Sequence, residues 1–235
     1  MELKLPEPLD GLLEKLEIGA ITNFYGAPGT GKTNLCLLLS IECIKSGGKV
    51  AYIDTEGGLS LDRLKQLATD HEKILKNVIL AEPRSFEEQS KCVRALEKED
   101  VDLIVLDSSV ALYRLEHSEH AADKTNGARK VDKEKMEANK ELSKQLSILS
   151  NISRDKKIPV IVTTHTYKNW ETGENDVVGG DSIKYWSKAI VFLERTGKDG
   201  ERKAIIAKHR SQPEGKTVKF VITEDGIKPS GFKIF

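Results

Sequence analysis

The chain has 235 residues, 31% of them charged and 38% apolar, the mixture of an ordinary globular domain with a sizeable core. Its 37 Lys plus Arg are balanced by 37 Asp plus Glu, which excludes the basic excess of a dedicated nucleic-acid binder and leaves any DNA contact to local loops. No apolar run approaches the ~20 residues that span a bilayer, the Met-Glu-Leu-Lys-Leu-Pro-Glu-Pro start is no signal peptide, and Cys36, Cys43 and Cys92 form neither a CxxC zinc pair nor a disulfide framework, which fits a reducing cytoplasm.

Strand and helix patterns then alternate. Ala20 to Tyr25 reads as a strand, Lys32 to Ser46 as a helix and Lys49 to Asp54 as a strand. Leu59 to Asp70 is a helix on Leu61, Leu64 and Leu67, followed by a short strand, Val78 to Ala81, and a helix, Ser85 to Lys98. Leu103 to Leu106 is an apolar run of strand length, and Met136 to Arg154 carries the helical stripe Leu142, Leu146, Leu149 and Ile152. Pro159 to Thr163 is a further buried strand. This order predicts βαβ units and a mainly parallel sheet in a single domain. Ala189 to Glu194, Arg202 to Ala207, Lys216 to Ile222 and Gly226 to Ile234 are short strands joined by Asp-Gly turns, hence an antiparallel C-terminal extension. Two polar stretches lack apolar periodicity: Glu116 to Lys135, a mobile loop or helix extension, and Tyr167 to Asp181, a loop.

The first strand runs into Gly26-Ala27-Pro28-Gly29-Thr30-Gly31-Lys32-Thr33, a complete P-loop between strand and helix, with Asn34 next in the helix. Glycines let the backbone close around phosphates, the helix N-terminus attracts the anion, Lys32 reaches the β- and γ-phosphates and Thr33 ligates Mg²⁺. Asp107 ends a buried strand, where a carboxylate would complete the metal site; Asp102 reads as a solvated strand start. Glu56 lies just past the strand that follows the P-loop helix. Strand ends converge in a parallel sheet, so it either faces the γ-phosphate and orients water or is a loop carboxylate in solvent.

Tyr52-Ile-Asp-Thr-Glu-Gly57, Asp107-Ser-Ser-Val-Ala-Leu-Tyr-Arg114, Lys208-His-Arg-Ser-Gln-Pro-Glu-Gly215 and Ile222-Thr-Glu-Asp-Gly-Ile227 together resemble the RecA/RadA recombinases over nearly the whole chain. They resemble most the short archaeal branch without the N-terminal helix-hairpin-helix domain. The resemblance implies a RecA-like ATPase core, ATP and Mg²⁺ as cofactors, and Glu56 as the group that acts on water. It implies that Arg63 stacks on adenine, that Pro213 belongs to a cap closed by a neighbouring subunit, and that Lys208 and Arg210 reach a neighbour's γ-phosphate. It also implies two loops facing single-stranded DNA, one with Lys124, Arg129 and Lys130, the other with Lys168 and Trp170.

The sequence departs from that pattern at His165, which occupies the place of a γ-phosphate-sensing Gln, and the family's polymerisation segment has no counterpart. The expectation is an accessory to the main recombinase RadA in homologous recombination and DNA repair, hydrolysing ATP weakly and self-associating, if at all, through the ATP site. A KaiC-like ring-forming ATPase and a non-hydrolysing nucleotide-dependent adaptor are the alternatives.

Overall fold

The computed structural model describes residues 2–122, 128–168 and 175–231. Strands β1 (Ile21–Gly26), β2 (Val50–Asp54), β3 (Val78–Ala81), β4 (Leu103–Asp107), β5 (Val160–Thr164) and β8 (Ser187–Arg195) are mutually parallel. Strands β9 (Glu201–Lys208), β10 (Thr217–Thr223) and β11 (Gly226–Pro229) continue the sheet antiparallel. The nine-stranded order is β11-β10-β9-β8-β1-β5-β4-β2-β3, so the P-loop strand is central and its carboxyl end lies between those of β5 and β8.

Every residue of β2, β4 and β5 is buried, the reason these strands read as continuous apolar runs. Side chains nevertheless alternate between two cores. Val50, Tyr52, Leu103, Val105 and Ile161 pack on the side of α1 (Lys32–Lys45). Ala51, Ile53, Ile104, Leu106, Val160 and Val162 face the side of α4 (Phe86–Ala95) and α6 (Ala128–Lys156). The N-terminal segment closes the first core, with Leu3, Leu5, Leu9, Leu12, Leu13 and Leu16 all buried.

Several boundaries differ from the sequence reading. The helix expected from Leu59 to Asp70 is shortened to α2 (Leu61–Leu67), because the Ser60 hydroxyl caps its start and Ala68 turns extended at φ −146°, and a further short helix that the sequence reading did not include, α3 (His71–Lys76), follows it. The charged stretch after Leu115 is taken up, where described, by α5 (Ala111–Ala122) and an α6 that starts at Ala128 rather than Met136. The second polar stretch is not simply a loop: β6 (Thr166–Lys168) pairs with β7 (Asn175–Val177), and α7 (Gly180–Trp186) starts after a left-handed Gly179. The last strand stops at Pro229. Among the described residues no helix is long and apolar enough to cross a membrane.

Candidate active site

The P-loop is shaped by what surrounds its glycines. A Cβ on Gly26 would lie 2.3 Å from the Leu193 carbonyl oxygen, and one on Gly31, already at φ +101°, would lie 2.8 Å from Ile222 Cδ1. Neither position admits a side chain. Gly31 is the N-cap of α1, so the helix's first free N–H groups and its positive dipole end face the loop. The Thr30 hydroxyl braces the loop by donating to the Ala27 carbonyl at 2.8 Å. Lys32 is 7% exposed and donates to the Gly26 and Ala27 carbonyls at 2.9 and 3.1 Å. Burial pulls its ammonium below the ordinary lysine range, against the opposing pull of Glu56 and Asp107. On the outer side of the loop, Arg195 and Arg202 both donate to the Gly29 carbonyl, at 3.4 and 3.1 Å. They are cross-strand partners on β8 and β9.

Asp107, at the end of β4, is 4% exposed. Its Oδ1 accepts from the Thr163 hydroxyl at 2.5 Å and its Oδ2 from the Tyr52 hydroxyl at 3.0 Å. Burial pushes this carboxyl above the ordinary aspartate range, while hydrogen bonds from Thr163, Thr33 and Tyr52 oppose the shift. A buried carboxylate reluctant to ionise, hydrogen-bonded to a threonine that opens the P-loop helix, is an oxygen donor set that fits a hard divalent cation. Among the described residues no group of three or more His, Cys, Asp and Glu could cage a metal.

Asp54 ends β2, paired with Asp107 across the ladder. It is 2% exposed and accepts three backbone N–H groups: Glu56 and Gly58 at 3.1 Å on Oδ1, Leu59 at 2.8 Å on Oδ2. The loop that carries Glu56 is therefore folded around this one carboxylate. Thr55 adds a second tie, its hydroxyl donating to the Ser108 carbonyl and accepting from the Ser108 N–H, both at 2.8 Å. Glu56 Oε1 then lies 2.6 Å from His165 Nε2. That hydrogen bond, with the Lys32 ammonium also contributing, draws the Glu56 carboxyl below its ordinary range in spite of burial.

The remaining expected residues have cis partners. Arg63 spreads its guanidinium over Asn34 Oδ1, Gln66 Oε1 and the Glu224 and Thr223 carbonyls, each at 2.8–2.9 Å. It thereby fastens α2 and α1 to the β10–β11 turn. Lys208 donates to the Lys184 and Ser187 carbonyls, at 2.5 and 2.9 Å, and so caps the end of α7. Arg210 lies 3.5 Å from Glu17, which also holds His209 at 3.4 Å. Pro213 is exposed in the turn between β9 and β10. Lys124 and Trp170 lie outside the described residues; Arg129 and Lys130 are carried on α6, and Lys168 on β6.

Sequence reasoning left out Tyr52 and Thr163, which flank Asp107, and the two arginines on Gly29. The detectable trace was Arg195 and Arg202 standing a few residues to either side of the Lys198-Asp199-Gly200 turn, a like-charge cross-strand pair that is unfavourable unless something lies between.

Three comparisons bear on this geometry. A family model described as Rad51 matches residues 6–230. A protein named DNA repair and recombination protein RadB from Methanobrevibacter smithii is 42% identical over 229 residues, covering 93% of this chain and 90% of its own length. One of the same name from Methanococcoides burtonii is 42% identical over 227 residues, 94% of this chain and 95% of its own. A crystal structure of the RadB recombinase superposes with a TM-score of 0.77 at 35% identity, over 95% of this chain and 96% of that one.

Proposed function

The chain belongs to the Rad51 family, and from that premise we propose that it is an ATP-binding DNA repair and recombination protein that hydrolyses ATP slowly. The observation that carries the reading is the convergence of Lys32, Thr33, Asp107 and Glu56 beyond the carboxyl ends of β1, β4 and β2, within the four-strand stretch β1-β5-β4-β2. Lys32 would exchange its two carbonyl acceptors for phosphate oxygens. Thr33 and Asp107 would hold Mg²⁺, which supplies charge neutralisation at the phosphates when bound. Glu56 would orient the attacking water. Arg63, Asn34 and Pro213 would border the base.

We assign single-stranded DNA to the segments around α5–α6 and β6–β7, with Lys124, Arg129, Lys130, Lys168 and Trp170 as contacts. The balanced net charge supports a local, salt-sensitive interaction and an accessory role beside the main recombinase RadA. Lys208 and Arg210 would serve a neighbouring copy only after leaving their present partners. The test is ATP turnover with and without single-stranded DNA, at several protein concentrations, for the natural chain and for Glu56→Gln and Arg210→Ala. Loss of turnover in Glu56→Gln supports hydrolysis; equal turnover refutes it. Loss in Arg210→Ala, with turnover per molecule rising with concentration, supports a shared site.

A further inference from the structure

We propose that His165 is a positioning residue that latches Glu56 and sets the pace and pH dependence of hydrolysis. The proposal rests on the reading of Glu56 as the group that acts on water. Its ground is the 2.6 Å contact between Glu56 Oε1 and His165 Nε2, in which the imidazole is 12% exposed and the carboxylate 41%. The other ring nitrogen, Nδ1, is buried without a hydrogen-bond partner among the described residues. A histidine retained for packing satisfies both nitrogens when it is this enclosed. Here the polar anchoring of the ring comes from Glu56. A carboxylate only accepts, so the contact requires a hydrogen on Nε2, which the ring donates to Glu56.

The groups facing Glu56 come from four elements. Lys32 approaches from α1, Asp107 and the Ser108 hydroxyl from the end of β4, and His165 from the end of β5. Arg114, on α5, lines a cavity of about 470 Å³ with Thr55, Glu56, Ala111, Leu115 and His165. The His165 and Ser108 hydrogen bonds occupy about half of the carboxylate's roughly four acceptor positions and fix the direction in which it points, away from free alignment on a water. A charged imidazole tightens this hold, because an ionic hydrogen bond is about twice as strong as a neutral one. Turnover therefore rises as the imidazole loses its proton. The cavity gives the ring space to turn aside. The backbone beneath it is fixed, since the His165 carbonyl accepts from Val178 N at 2.9 Å.

The experiment is steady-state turnover at saturating Mg-ATP from about pH 5 to pH 8, the range in which imidazoles change charge. The natural chain is compared with His165→Ala, His165→Gln and Glu56→Gln, and nucleotide affinity is measured for each with a fluorescent ATP analogue. His165→Ala is expected to raise kcat at the acid end by at least about threefold, to flatten the pH profile, and to leave nucleotide affinity within about twofold of the natural chain's. His165→Gln keeps an N–H donor that does not titrate, so its profile is flat while its rate stays near that of the natural chain at high pH. It also serves if the alanine variant fails to fold. An unchanged pH profile in the folded variants, or a kcat that falls to the Glu56→Gln level, overturns the latch while leaving hydrolysis by Glu56 intact. If Glu56→Gln turns over as fast as the natural chain, the hydrolysis reading and the latch fall together.

Discussion

Replacing Asp54 by Ala tests whether the Glu56 loop is built as the hydrogen bonds indicate. The carboxylate is 2% exposed and receives the N–H groups of Glu56, Gly58 and Leu59. Hydrogen bonds to a charged acceptor contribute roughly 1.5–3 kcal/mol each. Glu56 and Gly58 are exposed, so water replaces part of what is lost, and the net destabilisation is about 2–4 kcal/mol. For a chain of this length each kcal/mol lowers the melting temperature by about 2–4 °C, giving a fall of roughly 4–16 °C. Glu56, no longer held to within an ångström, loses about 100-fold in turnover. ATP affinity falls far less, because the three hydrogen bonds of Asp54 run to its own loop and not to the P-loop. Thermal melting without nucleotide, turnover and affinity of Asp54→Ala check all three. Natural turnover in a folded Asp54→Ala protein, or affinity lost in proportion to turnover, refutes the reasoning.

Other perturbations have equally definite outcomes. Asp107 is pushed above the ordinary range by burial, so the native state holds its proton more tightly than the unfolded chain and the charged form costs stability as pH rises past that pKa. Asp107→Asn is therefore expected to melt no lower than the natural protein at neutral pH while losing the stabilisation that Mg-ATP provides; a drop of more than about 5 °C without nucleotide contradicts this. Glu56 is held below its ordinary range by His165, so its contribution is present at neutral pH and lost as pH falls through its folded pKa. The melting gap between the natural chain and Glu56→Gln should close below about pH 4. Lys208→Ala should lower the melting temperature by about 3–6 °C through loss of the α7 cap, measured on dilute protein without ATP; no change would confine Lys208 to a role outside its own chain. Arg63→Lys should fail to restore the affinity lost in Arg63→Ala, because an ammonium cannot span the Asn34 oxygen and two carbonyls at once.

The parts of the site that could be read from sequence are those in which adjacent residues share one local conformation. Gly26 to Thr33 is such a run, and Asp107 ends, while Glu56 lies two residues past, a strand whose apolar pattern marks where it stops. The contacts that could not be read depend on register between distant segments. Arg195 and Arg202 meet Gly29 only because β8 pairs with β1 in a register that sets Leu193 opposite Gly26. Lys208 reaches α7 only because β9 folds back on β8. The N-terminal leucines were visible as apolar residues, but their six-fold burial against the α1 face follows from a path with no regular period. Helix α7 was missed because seven residues are too few for a 3.6-residue stripe to repeat.

The strand order carries one more consequence. Glu56 follows β2 and His165 follows β5, and these strands are not neighbours; β4, ending in Asp107, lies between them. At ~4.8 Å per strand the side chains bridge about 10 Å of sheet, and at roughly −20 to −25° of twist per step they tie strands rotated by about 40–50°. The Glu56–His165 contact is thus an arch over Asp107, fixing at the rim a rotation that the backbone ladder below leaves elastic. When the arch opens, the loops after β2 and β5 become independent of each other while the sheet beneath keeps its pitch, so loop motion at this edge of the sheet needs no distortion of the core.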